Sequence, residues 1–120
     1  ARPMGFCIFN HAAIAARYAD QWDTFAEIQG AATEGVSEDV ADQSARLDEA
    51  CRAIGRDPAE IRRSIWTRRE ALRSEEAYVD FVTRSRAAGF TDFAVGGVTA
   101  EDWPMVRRIA QDVLPGLRAS

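Results

Sequence analysis

The chain has 120 residues, 47% of them hydrophobic, and a formal net charge of −4. This length and composition are typical of one small globular domain, so we assign residues 1–120 to a single domain. All fifteen cationic residues are arginines and they are scattered among the acidic ones, which excludes the basic patch of a nucleic-acid-binding protein. No apolar run approaches the roughly 20 residues that span a bilayer, and we expect no membrane association.

The first predicted unit is a strand that runs directly into a helix. The continuous apolar run Met4–Phe9 predicts a strand covered on both faces, and Ala12–Ala19 predicts a short helix. The junction between them, Asn10–Ala12, contains His11, the only histidine in the chain. The first residues, starting Ala1-Arg2, lack the order of a secretory signal, so we expect a cytoplasmic protein.

The second unit contains the longest predicted helix. Gln21–Ile28 predicts a strand and Gly30–Gly35 a loop, after which Ser37 caps a helix that Gly55 ends. An inner apolar stripe is expected at helical spacing. Its members are Val40, Ser44, Leu47, Cys51 and Ile54. We expect Cys51, like Cys7 in the first strand, to be a buried free thiol, since neither has metal-site spacing.

Two further units complete the pattern. Asp57-Pro58 predicts a one-turn cap before a strand over Ile61–Thr67, and Ser74 caps the next helix. Phe90–Val95 predicts a fourth strand, and Gly96-Gly97 and Thr99 lead into the final helix. We expect an apolar face on each helix. The residues are Tyr78, Phe81, Val82 and Ser85 in the third, and Trp103, Val106, Ala110, Val113 and Leu117 in the last.

The predicted order is β-α-β-α-β-α-β-α, which favours an α/β fold with four parallel strands and right-handed crossovers. Two architectures satisfy that order. One is an open doubly wound sheet, and the other is half of an eight-fold β/α barrel. A half-barrel would expose its inner strand faces and two unpaired edges, so it would need a second copy or a missing half.

Several segments in order resemble one enzyme family. "AARYAD" at residues 15–20, followed by Trp22, is similar to a stretch of the luciferase-like flavin-dependent monooxygenases. The resemblance continues through residues 37–67, including "GRDPAEI", through 75–97, and at "VLPGLR", residues 113–118. It implies four parallel β-α units from the C-terminal half of an eight-fold β/α (TIM-type) barrel. A second copy or a missing N-terminal half would complete that barrel.

The resemblance implies FMN or a deazaflavin as cofactor and no metal, with the cofactor at the carboxyl ends of the strands. The cofactor-binding candidates are then Asn10, His11 and Ala12 at the first junction, and Gly96 and Gly97 at the last. The family has a glycine turn where this chain has Asn10-His11, so the first junction is open to three interpretations. It is a plain turn with Asn10 as cap, an anion contact, or a catalytic site with His11 as the reacting group.

Other side chains also have two interpretations. The arginines around the third strand form either a solvated rim or an anion clamp; they are Arg62, Arg63, Arg68 and Arg69. Asp23 and Glu27 are candidate acids or bases, although nothing in the sequence pairs them. We expect Trp22, Trp66 and Trp103 to belong to the core.

The resemblance predicts that the chain is part of an oxidoreductase or monooxygenase that uses reduced flavin or deazaflavin. The alternative is a non-catalytic module that has lost the redox site and self-associates or binds a partner. The expected partner is therefore a second copy or a complementary N-terminal half. No catalytic residue is carried over, because much of the family's pocket comes from its N-terminal half.

Overall fold

The computed structural model describes residues 12–25 and 38–119, in which helices and strands alternate. The strands are β1 (Gln21–Phe25), β2 (Arg62–Arg68) and β3 (Asp92–Gly96). The helices are α1 (12–18), α2 (Glu38–Ala53), α3 (Glu75–Ala87), α4 (Trp103–Arg108) and α5 (Leu114–Ala119). Single 3₁₀ turns at Pro58–Glu60, Arg69–Leu72 and Ala100–Asp102 join these elements.

The described residues form one three-stranded parallel sheet in the order β1-β2-β3. The prediction of four β-α units forming half of an eight-fold barrel is therefore wrong. The described residues contain three strands, not the four that this prediction requires. The first predicted strand is an apolar run, a pattern that fits either a strand or a buried helix segment. Met4–Phe9 lies outside the described residues. The other three predicted strands are present and all are parallel as expected. β1 begins at Gln21 as predicted, and the bounds of β2 and β3 differ from the predicted ones by one or two residues.

One face of the sheet is covered by helices, and we call it the covered face. Residues alternate between the two faces along each strand, and in β2 Arg63, Ile65 and Thr67 point to the covered face. Ile65 is fully buried in a core with Val40, Phe81, Val82 and Phe90, so α2 and α3 pack on this side. Trp22 of β1 stacks on Phe90 with ring centroids 5.9 Å apart.

The helix ends follow the sequence signals wherever these lie among the described residues. The Asp57 carboxylate accepts a hydrogen bond from the Ala59 N–H at 2.9 Å, and Ser74 Oγ accepts one from Ala77 at 3.0 Å. Gly55 and Gly89 end α2 and α3 in the left-handed conformation, with φ of 76° and 95°. The predicted stripe of α2 is buried from Val40 to Cys51.

The final helical segment departs from its predicted apolar face and contains one π-helical turn, Ile109–Val113. Ile109, which is absent from the predicted stripe, is the buried residue of this segment, whereas Trp103 is 54% exposed. Leu117 still packs against the core.

Candidate functional site

The second face of the sheet carries no helix among residues 12–25 and 38–119, and we call it the open face. Its side chains are mostly exposed or half-buried, except Ser64 at its centre, which is 6% exposed. The open face presents the residues that alternate with those of the covered face. These residues are Gln21, Asp23 and Phe25 in β1, Arg62, Ser64, Trp66 and Arg68 in β2, and Asp92, Ala94 and Gly96 in β3. Because all three strands are parallel, Phe25, Arg68 and Gly96 lie together at the carboxyl edge. Parallel α/β sheets bind ligands at that edge.

Two aromatic rings are exposed on the open face. Phe25 and Trp66 are neighbours in the register, with ring centroids 6.3 Å apart and planes tilted by 43°. Phe25 is 67% exposed and Trp66 is 40% exposed. The prediction that Trp66 and Trp103 belong to the core is therefore wrong, and it is confirmed in part for Trp22, which is half-buried against the core. Large exposed rings in contact form an apolar surface suited to a planar ligand or a partner.

The four arginines around β2 have different roles, and three of them are already paired. Arg62 forms an ion pair with Asp92 on the open face. Arg69 binds the Asp102 carboxylate with Nη2–O and Nε–O distances of 3.0 and 3.1 Å. Arg63 is buried under α2. Neither the solvated rim nor the anion clamp therefore describes all four arginines, since Arg63 is buried and Arg62 and Arg69 are paired with carboxylates.

Arg63 belongs to a buried polar network on the covered face. Its guanidinium donates to the Ser44 carbonyl at 3.0 Å and to Ser44 Oγ at 2.7 Å, and it forms an ion pair with Asp48. Ser44 Oγ in turn donates to the Ala88 carbonyl at 2.9 Å. The network joins β2, α2 and the end of α3, so it has a structural role. The arginine among buried strand residues was its only sequence signal.

Arg68 is the remaining arginine, and it lies at the carboxyl edge of the open face. It is exposed and makes no hydrogen bond or ion pair with the residues that the structure describes. Its register partner on β3 is Gly96, which has no side chain to cover it. A guanidinium with unused donors beside a glycine is suited to a phosphate, which it can bind through two hydrogen bonds.

The Gly96-Gly97 turn follows β3 beside Arg68. Gly97 has a φ of 73°, a conformation that side-chain-bearing residues rarely adopt, and a Cβ placed there would meet no atom within 4 Å. A Cβ on Gly96 would lie 3.8 Å from the Thr67 carbonyl oxygen, an ordinary contact. Gly97 is therefore required by the turn, and the same glycine leaves open space next to the backbone.

The capping box after this turn limits where an anion can bind. The Asp102 carboxylate accepts hydrogen bonds from the Thr99 N–H at 2.8 Å and from its hydroxyl at 3.1 Å. The hydrogen bond from Arg69, followed by that from the Thr99 backbone, lowers the pKa of Asp102 to about 2. The Thr99 N–H is thus already used by a carboxylate, which makes Arg68 the stronger candidate for anion binding among the described residues of this edge.

Most of the other predicted site residues are not tested by the described structure. Asn10, His11 and Glu27 lie outside the described residues, and Ala12 is the first described residue of α1. Asp23 lies on the open face, where its carboxylate accepts a hydrogen bond from the Gln21 amide at 2.9 Å. Cys51 is a buried free thiol as predicted, and burial raises its pKa. Cys7 lies outside the described residues.

A second concave feature lies on the helical side, between α1 and the end of α2. This groove has a volume of about 390 Å³. Its lining is mostly apolar: Ala13, Ile14, Arg17, Tyr18, Ala50, Ala53 and Ile54. Among the described residues, its lining contains no carboxylate, thiol or imidazole.

Within residues 12–25 and 38–119, no three His, Cys, Asp or Glu side chains are grouped to hold a metal ion. None of the helices in those ranges combines the length and apolar character needed to cross a bilayer. Comparison of the chain with protein-family models, curated proteins and solved structures finds no match. The geometry of the open face and the resemblance of the sequence segments are the features that bear on function.

Proposed function

We propose that the chain is part of an oxidoreductase of the luciferase-like type, and that the carboxyl edge of the open face contacts a reduced flavin or deazaflavin. The observation that carries the proposal is Arg68, which has no hydrogen bond or ion pair with the described residues and lies beside Gly96 at the carboxyl ends of parallel strands. The sequence resemblance and the exposed aromatic pair support it independently. The monooxygenase activity of that family is a narrower form of the same proposal.

The residues present fit the two chemical ends of such a cofactor. Arg68 would hold the phosphate, with the space beside Gly97 leaving the backbone accessible. Phe25 and Trp66 offer ring faces to the tricyclic ring system. When bound, a reduced flavin or deazaflavin supplies the electrons of the reaction. Among the described residues at this edge, Arg68 and the two rings bind and orient the cofactor, and we assign no proton transfer to them.

A comparison of FMN with riboflavin tests this proposal, because only FMN carries the phosphate. We expect the full chain to bind FMN or its 5-deaza analogue more tightly than riboflavin, measured by quenching of flavin fluorescence or by calorimetry. Arg68→Gln should remove the preference for the phosphate. Arg107→Gln is the matched control, since Arg107 is an exposed arginine of α4, on the helical side.

Two outcomes would reject the cofactor site. One is the absence of saturable binding of both FMN and its 5-deaza analogue. The other is an FMN affinity that falls equally in Arg68→Gln and Arg107→Gln, which would indicate nonspecific attraction by surface charge.

The second candidate is a non-catalytic module that self-associates or binds a protein partner. The exposure of Phe25 and Trp66 on a sheet face without helices favours it, because monomeric proteins rarely leave aromatic contacts of this kind in water. The measurement that separates the candidates is the mass of the chain in solution with and without FMN. A dimer that never binds flavin would support the second candidate over the first.

A further inference from the structure

The open face carries charges of opposite sign at its two ends, with the aromatic pair between them. Asp23 lies beside Ser64 in the register, and Arg68 lies four residues further along β2. Trp66 is midway between Ser64 and Arg68 and has Phe25 beside it. Neither Asp23 nor Arg68 has an ion-pair partner among the described residues. When a second copy of this surface is rotated by a half-turn and placed against the first, the positive end of each copy faces the negative end of the other.

We infer that the open face binds a second copy of this chain, with a two-fold axis crossing the strands at Trp66, so that Arg68 of each copy meets Asp23 of the other. Two-fold interfaces use the same patch on both subunits. Ser64 and Arg68 lie about 6.6 Å on either side of Trp66 along the strand. A half-turn about that axis therefore places Arg68 at the level of the other copy's Asp23, offset sideways by about 4.8 Å, one strand spacing.

The charges also decide the relative direction of the strands. In this antiparallel arrangement Arg68 approaches Asp23 and the Arg62–Asp92 pair of the other copy, while the Trp66 and Phe25 rings meet near the axis. A two-fold axis parallel to the strands would instead bring Arg68 to the same level as Arg68. Like charges opposed across an interface strongly disfavour it. The open face therefore favours the antiparallel arrangement.

The area of the open face indicates how strongly two copies of the chain should associate. Three strands spaced by about 4.8 Å, with five residues rising about 3.3 Å each, give a face of about 14 by 17 Å. Such an interface is smaller than that of stable dimers, so we expect a weak dimer that forms with increasing protein concentration. Because the cofactor proposed above also uses Arg68, the second copy and the flavin would compete for it. The inference itself does not need a flavin to bind.

Charge reversal of the two residues tests the arrangement in the absence of flavin. We expect the full-length wild type to dimerise in sedimentation equilibrium, and we expect Asp23→Arg and Arg68→Asp each to raise the dimer dissociation constant by about tenfold or more. The double variant Asp23→Arg/Arg68→Asp restores opposite charges across the interface. It should return to within about threefold of the wild type, a recovery that misfolding of either single variant cannot produce.

The control variants have the same changes in charge, made at exposed residues of the helical side. Arg107→Asp and Asp112→Arg alter exposed residues there and should leave the dissociation constant unchanged. The inference is overturned if the wild type stays monomeric at all concentrations, if the single reversals act no more strongly than these controls, or if the double variant fails to recover. None of these outcomes depends on FMN binding, which is measured separately.

Discussion

The two faces of the sheet use the same residue types for different purposes. On the covered face, Arg63 is buried and fully paired with Ser44 and Asp48, and it joins β2 to α2. On the open face, Arg68 is exposed and has no partner among the residues that the structure describes. A buried, satisfied guanidinium stabilises a fold, whereas an unpaired one on an aromatic surface is available for a ligand. The covered face should therefore control stability, and the open face should control binding.

The largest expected difference in stability is between truncation of a side chain on the covered face and truncation of one on the open face. Ile65→Ala removes a fully buried core side chain and should lower the free energy of unfolding by about 2–5 kcal/mol. Arg68→Ala, three residues along the same strand, should change it by at most about 0.5 kcal/mol, since it breaks no contact within the fold. Urea unfolding followed by circular dichroism measures both. A large destabilisation by Arg68→Ala would contradict the assignment of the open face to binding.

A second comparison sets a buried ion pair against an exposed one. Asp48→Asn leaves the Arg63 guanidinium buried with a weaker partner and should cost about 1–3 kcal/mol of stability. Asp92→Asn breaks the pair with Arg62 on the open face and should cost about 0–1 kcal/mol, because water already screens that pair. Chemical unfolding of both variants at neutral pH provides the test. Equal costs would mean that the Arg63 network does not hold β2 to α2.

Two glycine substitutions should change the stability of the fold in opposite directions. Gly97→Ala forces a side chain into a left-handed backbone and should destabilise by about 1–2 kcal/mol. Gly116→Ala lies within α5, where a Cβ also meets no atom, and should stabilise by about 0.5–1 kcal/mol. Thermal melts of the two variants distinguish them. If Gly97→Ala stabilised the chain as well, the turn beside Arg68 would not have the described conformation.

The smallest expected effect is a pH dependence of the stability that Asp102 contributes through the turn after β3. The Asp102 pKa of about 2 is below its ordinary value of 3.8, so this carboxylate stabilises the fold fully above about pH 4, and that contribution is lost as the pH falls toward 2. Asp102→Asn should be less stable than the wild type at pH 6, and the difference should shrink as the pH approaches 2. Unfolding curves across that range measure it. A difference that is constant with pH would show that Arg69 and Thr99 do not hold the ionised carboxylate.

The local structure was largely predictable from sequence because its signals are local. Caps such as Asp57 and Ser74 and the left-handed glycines Gly55 and Gly89 depend on neighbouring backbone, and each is observed as predicted. The burial of the α2 stripe also follows from helical periodicity for Val40, Ser44, Leu47 and Cys51, but the prediction is wrong for Ile54, which follows the end of α2 and is 49% exposed. The number of strands was predicted less well: the described residues contain three, and the first predicted strand, Met4–Phe9, lies outside them.

The candidate site was less predictable because it depends on pairing between distant residues. The sequence places Arg62, Arg63, Arg68 and Arg69 together, but the partners of three of them come from three different elements, and only the fold shows that Arg68 has none among the described residues. The exposure of Trp66 was not predictable either, because the sequence does not show which face of the sheet the helices cover. The π turn at Ile109–Val113 has no signal in the apolar pattern.

The proposal that the carboxyl edge of the open face binds a flavin phosphate is tested most directly by a nuclear magnetic resonance titration of the full chain with FMN. The account predicts saturable shifts of the Gly96 and Gly97 amides and of the Trp66 indole N–H, and no shift of the Trp103 indole, which is exposed on the helical side. The same titration with riboflavin should produce weaker changes. Shifts confined to Trp103 or to the groove between α1 and α2, or no saturable shift at all, would contradict it.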